Sequence, residues 1–217
     1  MSKVFIVGVT GGVGSRLAPK LLKSGHSVSG LYRDKKKESS LKELGIKPFL
    51  GDLMDMSVDD FIEITKDHDV IVFSAGAAGS GLDRTTAIDY ETPVKLLKAA
   101  KANGISRFYL ISAFMDSIRD KPRNDNFEHY MKMKRQADNA VVASKLDWVI
   151  LRPGTLVSEE GSGLVNLERA ISYGNVARGN VASVLAALIN EPSIKKEIFE
   201  LVDGDKPINE AIKAIKR

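Results

Sequence analysis

This sequence predicts an α/β protein built on a doubly wound, mostly parallel sheet, and three observations lead there. Short apolar runs alternate with longer stretches of helical periodicity. A glycine-rich segment follows the first apolar run directly and opens the first helical stretch. Glycines then close several of the helical stretches. Right-handed crossovers between successive parallel strands put helices on both faces. The expected sheet has about seven or eight strands, in the order 3-2-1-4-5-6.

Taken in order, Val4–Val7 reads as a buried strand, and Leu17–Lys23 as a helix stopped by Gly25. Ser27–Leu31 is a second strand, Glu38–Leu44 a short helix closed by Gly45, and Lys47–Leu50 a third strand. Val58–Thr65 is helical, Asp69–Ser74 a strong fourth strand, and Thr85–Lys101 a long helix closed by Asn103 and Gly104. Arg107–Ile111 is a fifth strand and Asp125–Ser144 another long helix. Trp148–Leu151 is a sixth strand, cut off by Pro153 and Gly154. The rhythm then weakens. Thr155–Val176, rich in Gly, Ser and Glu, is the expected substrate loop. Val181–Ile189 is a helix with Asn180 as its N-cap, Ile198–Val202 a late strand, and Ile208–Ile215 a last helix.

Composition sets bounds. The 217 residues are 43% hydrophobic and 28% charged, which suits one globular domain over 1–217 with a small C-terminal substrate-side part at 154–217. With no cysteine, a disulfide framework, a thiolate metal site and a cysteine nucleophile are excluded. The apolar run Val4–Val7 is too short for a secretory leader, and no stretch approaches the roughly 18 apolar residues of a membrane span. A cytoplasmic protein without membrane partners is expected, as a monomer or homodimer. The net charge of +4 and 6% aromatic content do not point to nucleic acid. No His, Asp or Glu cluster has ligand spacing, so no metal is expected.

The glycine-rich segment carries the most chemistry. Gly8, Gly11 and Gly14 are spaced G-x-x-G-x-x-G between a strand and a helix. Residues without Cβ allow a tight turn, close approach of backbone N–H groups to a pyrophosphate, and helix-on-strand packing. The helix N-terminus then favours the negative charge. Gly8, Thr10, Gly11, Gly12, Val13 and Gly14 are therefore expected to hold a dinucleotide. No Gly-Lys-Ser/Thr follows, which excludes a P-loop.

The end of the second strand reads the adenine ribose. An acid there suits NAD(H), and a base suits the 2′-phosphate of NADP(H). This sequence offers both, side by side, as Arg33 and Asp34, with Arg16, Lys35 and Lys36 adding positive potential. Ser74, Ala75 and Gly76, behind the fourth strand, are small enough for backbone to lie against a cofactor. Asp52 follows the third strand, where a helix cap is the ordinary role for it.

Several of these stretches resemble the atypical branch of the short-chain dehydrogenase/reductase superfamily, the NAD(P)-binding, NmrA-like group with a Rossmann fold. They are G-x-T-G-x-x-G, Gly14–Arg16, Leu21–Val28, Leu31–Asp34, Gly51–Leu53, Val72–Gly76, Arg107–Phe108 before Ser112, and Leu151–Gly154. The resemblance covers nearly the whole chain. It implies that Arg33 binds the 2′-phosphate, so that NADP(H) is preferred and NAD(H) is the lesser alternative. It also implies that Asp52 and Leu53 flank the adenine and that Pro153 meets the nicotinamide amide.

In short-chain reductases a serine and a Tyr-x-x-x-Lys pair carry the reaction, members of this branch differing in whether they use it, and Ser112, Tyr130 and Lys134 match that arrangement. Tyrosine and lysine at i and i+4 share one helix face. Tyr130 is the expected proton donor to a carbonyl, Ser112 the anchor of its oxygen, and Lys134 the cation that lowers the phenol and holds the nicotinamide ribose. The same spacing also suits an exposed structural pair. Arg178, before Gly179–Ala182, resembles the family's Arg-x-Asp-Val-Ala, with Asn180 replacing the Asp. The resemblance implies an NADPH-dependent oxidoreductase acting on a small carbonyl or similar acceptor. The alternatives are a regulator that senses NADP(H) without chemistry and a nucleotide-sugar epimerase or dehydratase.

Overall fold

A computed structural model describes residues 1–115 and 124–216. The first half is a regular β–α alternation: β1 (Lys3–Val7), α1 (Gly14–Lys23), β2 (Ser27–Tyr32), α2 (Glu38–Glu43), β3 (Lys47–Leu50), α3 (Val58–Ile64) and β4 (Val70–Phe73). A continuous helical rod then runs through α4 (Leu82–Thr86), a π-helical turn at Ala87–Glu91, and α5 (Thr92–Ala102). It is followed by β5 (Arg107–Ile111), α6 (Asp125–Val142) and β6 (Asp147–Pro153). The remainder is β7 (Thr155–Val157), β8 (Leu164–Glu168), β9 (Asn175–Ala177), α7 (Arg178–Asn190), β10 (Glu197–Asp203), β11 (Lys206–Pro207) and α8 (Ile208–Ile215).

The main sheet runs β11-β8-β10-β6-β5-β4-β1-β2-β3. The order 3-2-1-4-5-6 is therefore present. Among the described residues the sheet has nine strands, one more than the upper expectation. The sheet strands not read from the sequence are β8, from Thr155–Val176, which adds antiparallel to β10, and the two-residue β11, which adds to β8, while β7 and β9 pair in a separate two-stranded sheet. Alternating apolar residues in Leu164–Leu167, with Val165 and Leu167 fully or almost fully buried, make a sheet strand of what composition alone presents as a loop.

The central strands are apolar on both faces, as a sheet covered on both sides requires. Val4 and Ile6 of β1 pack with Leu17, Leu21, Leu185 and Ile212 of α1, α7 and α8. Phe5 and Val7 pack on the opposite face with Phe61, Leu96 and Val141 of α3, α5 and α6. A Ser57–Asp60 capping box starts α3. Gly25, Gly45 and Gly104, all at positive φ, close α1, α2 and α5 as expected.

Two expectations need correction here. The helix expected over Thr85–Lys101 begins at Leu82 and carries the π turn, where Thr92 Oγ1 donates to the Ala87 carbonyl at 2.8 Å. Asn180 does not cap α7, which starts two residues earlier. It is buried, accepts from Gly163 N at 3.0 Å and donates to Asp203 Oδ1 at 2.7 Å. The Asp203 carboxylate accepts from Ala177 N, just before α7, at 3.1 Å. The C-terminal strands therefore supply the acceptor at this helix start.

Candidate active site

A cleft of about 1130 Å³ opens at the C-terminal ends of β1, β4 and β5. β1 and β4 are neighbours from which the chain winds in opposite directions, the switch point where open α/β sheets take ligands. The glycine turn forms its floor. Gly8 has φ +87°, and a Cβ on it would lie 2.9 Å from Ala75 N. Gly11 N donates to Gly8 O at 2.9 Å, closing the turn. Gly14 lies so close to the Gly8 carbonyl that any side chain there would collide. The start of α1 has no side-chain cap and no acid in its first turn, so its dipole faces the cleft uncompensated and favours an anion, although Ser15 N and Arg16 N already donate to Gly11 O and Val13 O.

Fourteen sequence-predicted residues line this one cleft: Gly8, Thr10, Gly11, Gly12, Val13, Arg33, Asp52, Leu53, Ser74, Ala75, Gly76, Ser112, Tyr130 and Lys134. Three expected residues do not. Gly14 is consumed by packing against Gly8. Arg16 turns out of the cleft, donating to Gly12 O at 2.7 Å and to Glu160 Oε1 at 2.6 Å. Pro153 is buried in β6, opposite Leu201 of β10, away from the cleft lining.

At the end of the cleft beside β2 and β3, Arg33 Nη1 stands 3.9 Å from Asp52 Oδ2, with 65% of the Arg33 side chain exposed. Its neighbour Asp34 is engaged locally, since its carboxylate accepts Lys36 N at 3.0 Å and caps the turn at Lys35–Lys37. Asp52 Oδ1 accepts Met54 N at 3.0 Å. The helix cap once open to Asp52 belongs to Ser57.

At the other end, α6 presents Tyr130, Lys134 and Asp138 on one face. The Lys134 side chain is 4% exposed. Its Nζ donates to the Ile111 carbonyl at 3.1 Å, lies 3.2 Å from Asp89 Oδ1, and stands 5.8 Å from the centre of the Tyr130 ring. Asp89 is fully buried on the π turn, and its Oδ2 accepts Ala77 N at 3.1 Å. Single-turn π segments inside helices occur frequently at functional sites. Asp138 is gripped by Arg152 through Nε at 3.0 Å and Nη2 at 2.9 Å. Ser112 N donates to Leu151 O at 2.8 Å, while the buried Ser112 Oγ has no well-formed hydrogen bond.

The electrostatics depart from the sequence expectation. Burial raises the Tyr130 phenol above the ordinary tyrosine value. Lys134 pulls it down, but Asp89 and Asp138 push it up, and the net shift is upward. Burial opposes the Lys134 ammonium, yet Tyr130 and Asp89 hold its pKa above the ordinary lysine value. Burial also raises Asp138, against the Ser112 hydroxyl and Arg152, which lower it. Lys134 is therefore a compensated cation, and Tyr130 stays a protonated phenol.

Two cleft residues take positions that the sequence did not assign. Arg178 lies over the glycine turn: a Cβ on Gly12 would sit 2.6 Å from Arg178 Cδ, and Nη1 donates to Ser158 Oγ at 3.0 Å. Its position in an Arg-x-Asn-Val-Ala stretch was a signal, but the sequence does not say where the side chain goes. Asp89 gave a weaker one, an acid beside Ile88 on the buried side of an apolar helical pattern.

The NAD(P)H-binding family model matches residues 8–192. This chain belongs to the NAD(P)H-binding family. The family indicates a nicotinamide cofactor, and the chemistry of the glycine turn, the uncapped α1 terminus and Arg178 fits one. The Bacillus subtilis (strain 168) protein YhfK, named an uncharacterized sugar epimerase, is 33% identical over 98% of this chain and 100% of its own. The Saccharomyces cerevisiae protein YMR090W is 34% identical, covering 98% of both chains. A Bacillus halodurans structure under the provisional name NAD-dependent epimerase/dehydratase has a TM-score of 0.89 at 30% identity, over 99% of this chain and 100% of its own. The oxidoreductase ylbE of Lactococcus lactis has a TM-score of 0.83 at 25% identity, over 98% and 96%. The family thus contains reductase-like and epimerase-like members. Among the described residues, no helix is long and apolar enough to cross a membrane.

Proposed function

We propose that this protein is an NADPH-dependent oxidoreductase that reduces a small carbonyl or similar acceptor, with Tyr130 as proton donor. One observation carries the reading: Ser112, Tyr130 and Lys134 border the same cleft as the glycine turn. The bound cofactor supplies the hydride. Arg178, the backbone of the glycine turn and the dipole of α1 hold its pyrophosphate. Arg33 takes the 2′-phosphate, and Asp34 does not compete because its carboxylate is spent on the turn at Lys35–Lys37. Ser112, whose hydroxyl lies close to the buried Asp138 without a well-formed hydrogen bond, receives the substrate oxygen, and the Tyr130 hydroxyl protonates it. Asp89 and the Ile111 carbonyl fix Lys134 beside Tyr130.

The sensing regulator remains the second reading, favoured by the raised Tyr130 pKa, which does not prepare a phenolate base. An epimerase or dehydratase is disfavoured because the chain after Pro153 goes mainly into β8, β10, β11, α7 and α8 rather than into a sugar-nucleotide lobe. The test is a panel of carbonyls and quinones with NADPH, read as loss of nicotinamide absorbance, with Tyr130→Phe as control. Turnover that Tyr130→Phe abolishes supports the reductase. Tight NADP(H) binding with no turnover on any acceptor moves the sensing role to first place.

A further inference from the structure

The cationic side chains of the cleft are differently employed. Lys134 is compensated by Asp89, and Arg33 faces Asp52. Arg178 lies on the phosphate turn. Arg84 has no such account. It is half-buried and lines the cleft, its Nε donates to Ser80 Oγ at 3.2 Å, and none of the ion pairs among the described residues includes it. The carboxylates that line the cleft face other cations, Asp89 on Lys134 and Asp52 opposite Arg33, so a partly buried guanidinium at this place is a group that an incoming anion would complete.

Its location follows from the register of two helices. Asp89 lies against Lys134, and Thr86 Oγ1 is 2.8 Å from His129 Nε2. The α4 rod and α6 therefore run alongside each other in the same direction. Two residues before Thr86, Arg84 falls beside the first turn of α6, where Asn126 and Phe127 also line the cleft. Phe127 is one turn from Tyr130, with ring centres 6.4 Å apart. Arg84 thus lies beyond Tyr130 on the side away from Lys134, while Arg33 and Asp52 mark the opposite, adenosine end. Across from these rings, the loop Ala75–Gly81 consists of glycine, alanine and one serine, which leaves space for a flat body.

Resting on the reductase reading, we propose that Arg84 binds a carboxylate on the substrate, and that the substrate is a flat conjugated carbonyl compound carrying that acid about one helical turn beyond the oxygen that Tyr130 protonates. Phe127 and Tyr130 take the conjugated face, and Arg84 takes the acid. A neutral acceptor of the same shape keeps the stacking and loses the charge-assisted bonds.

The test uses a carboxylated naphthoquinone and its methyl ester as probes. Calorimetry measures binding of each to the protein saturated with NADP⁺, which prevents turnover. Wild type is expected to bind the acid about ten- to a hundredfold more tightly than the ester. Arg84→Gln should erase that preference while leaving ester affinity unchanged, and Arg84→Lys, which keeps the charge, should retain part of it. Equal binding of acid and ester by wild type, or an acid preference that survives Arg84→Gln, overturns the assignment. NADPH oxidation with the same pair is scored separately. Binding that depends on Arg84, with no oxidation of NADPH by either probe, would sink the reductase reading and leave the anion site standing.

Discussion

The two ends of the cleft are built from the same kinds of side chain under opposite electrostatic conditions. At the end beside β2 and β3, where the proposal puts the adenosine, Arg33 is exposed, Asp52 is half-buried, and the two are 3.9 Å apart. Water and salt screen such a pair, and neither partner depends on the other for its charge. At the Tyr130 end, Lys134 and Asp89 are 4% and 0% exposed. There each charge is tolerable only because the other is present. The adenosine end can therefore exchange side chains at the cost of affinity alone. At the Tyr130 end, folding and chemistry share the same groups. The contrast also reassigns Lys134: a lysine already answered by a buried carboxylate is an anchor before it is a pKa-lowering device.

The largest effect should come from the buried end. Tyr130→Phe is expected to lower kcat by about 10²–10⁴-fold while the dissociation constant for NADPH stays within twofold or so of wild type. A loss of cofactor affinity comparable to the loss of rate would mean that the two ends are not separable. Asp89→Asn comes next. It leaves Lys134 buried without its counter-charge, which typically costs about 3–5 kcal/mol, read by urea unfolding. A variant as stable as wild type would show that water reaches the ammonium and that the contrast between the ends is overstated.

At the exposed end, Arg33→Ala should weaken NADPH binding about ten- to a hundredfold, the loss of a charge-assisted phosphate contact, and leave NADH binding and thermal stability alone. Raising salt should erode the wild-type preference for NADPH in the same direction. If wild type prefers NADH, the reader at this end is not Arg33.

Two pH effects are smaller. A phenol raised above 10.0 binds its proton more tightly in the folded than in the unfolded state. Its contribution to stability is complete below that pH and is lost as pH rises through the folded value. The rate of reduction should accordingly show no Tyr130 ionisation below about pH 10. In Asp89→Asn, where one carboxylate that raises the phenol is gone, the alkaline fall should begin at lower pH. His68 is outside the cleft, bonded to Lys66 O at 2.9 Å and Ser29 Oγ at 2.9 Å. Burial lowers its pKa from 6.5, so the unfolded chain takes up the proton first, and stability falls as pH drops below that value through the lower folded one. His68→Gln should flatten this acid-side loss without changing the rate. A change in rate would link His68 to the site.

What could be read from the chain alone was whatever is encoded in local spacing. The strand–helix alternation and the glycine turn specify the order 3-2-1-4-5-6, because period and turn chemistry act over a few residues. The i, i+4 spacing of Tyr130 and Lys134 places them on one helix face wherever that helix goes. Val165 and Leu167 were legible as a strand only once β10 was there to pair with, and Asn180 read as a cap only while its distant partners were unknown. Tertiary packing alone decided that Arg16 turns toward Glu160 while Arg178 lies on Gly12, and that Asp89 meets Lys134. Such contacts join residues far apart in sequence. Which charge meets which depends on how helices cross and on the π turn on which Asp89 sits, and no local pattern of residue types records that.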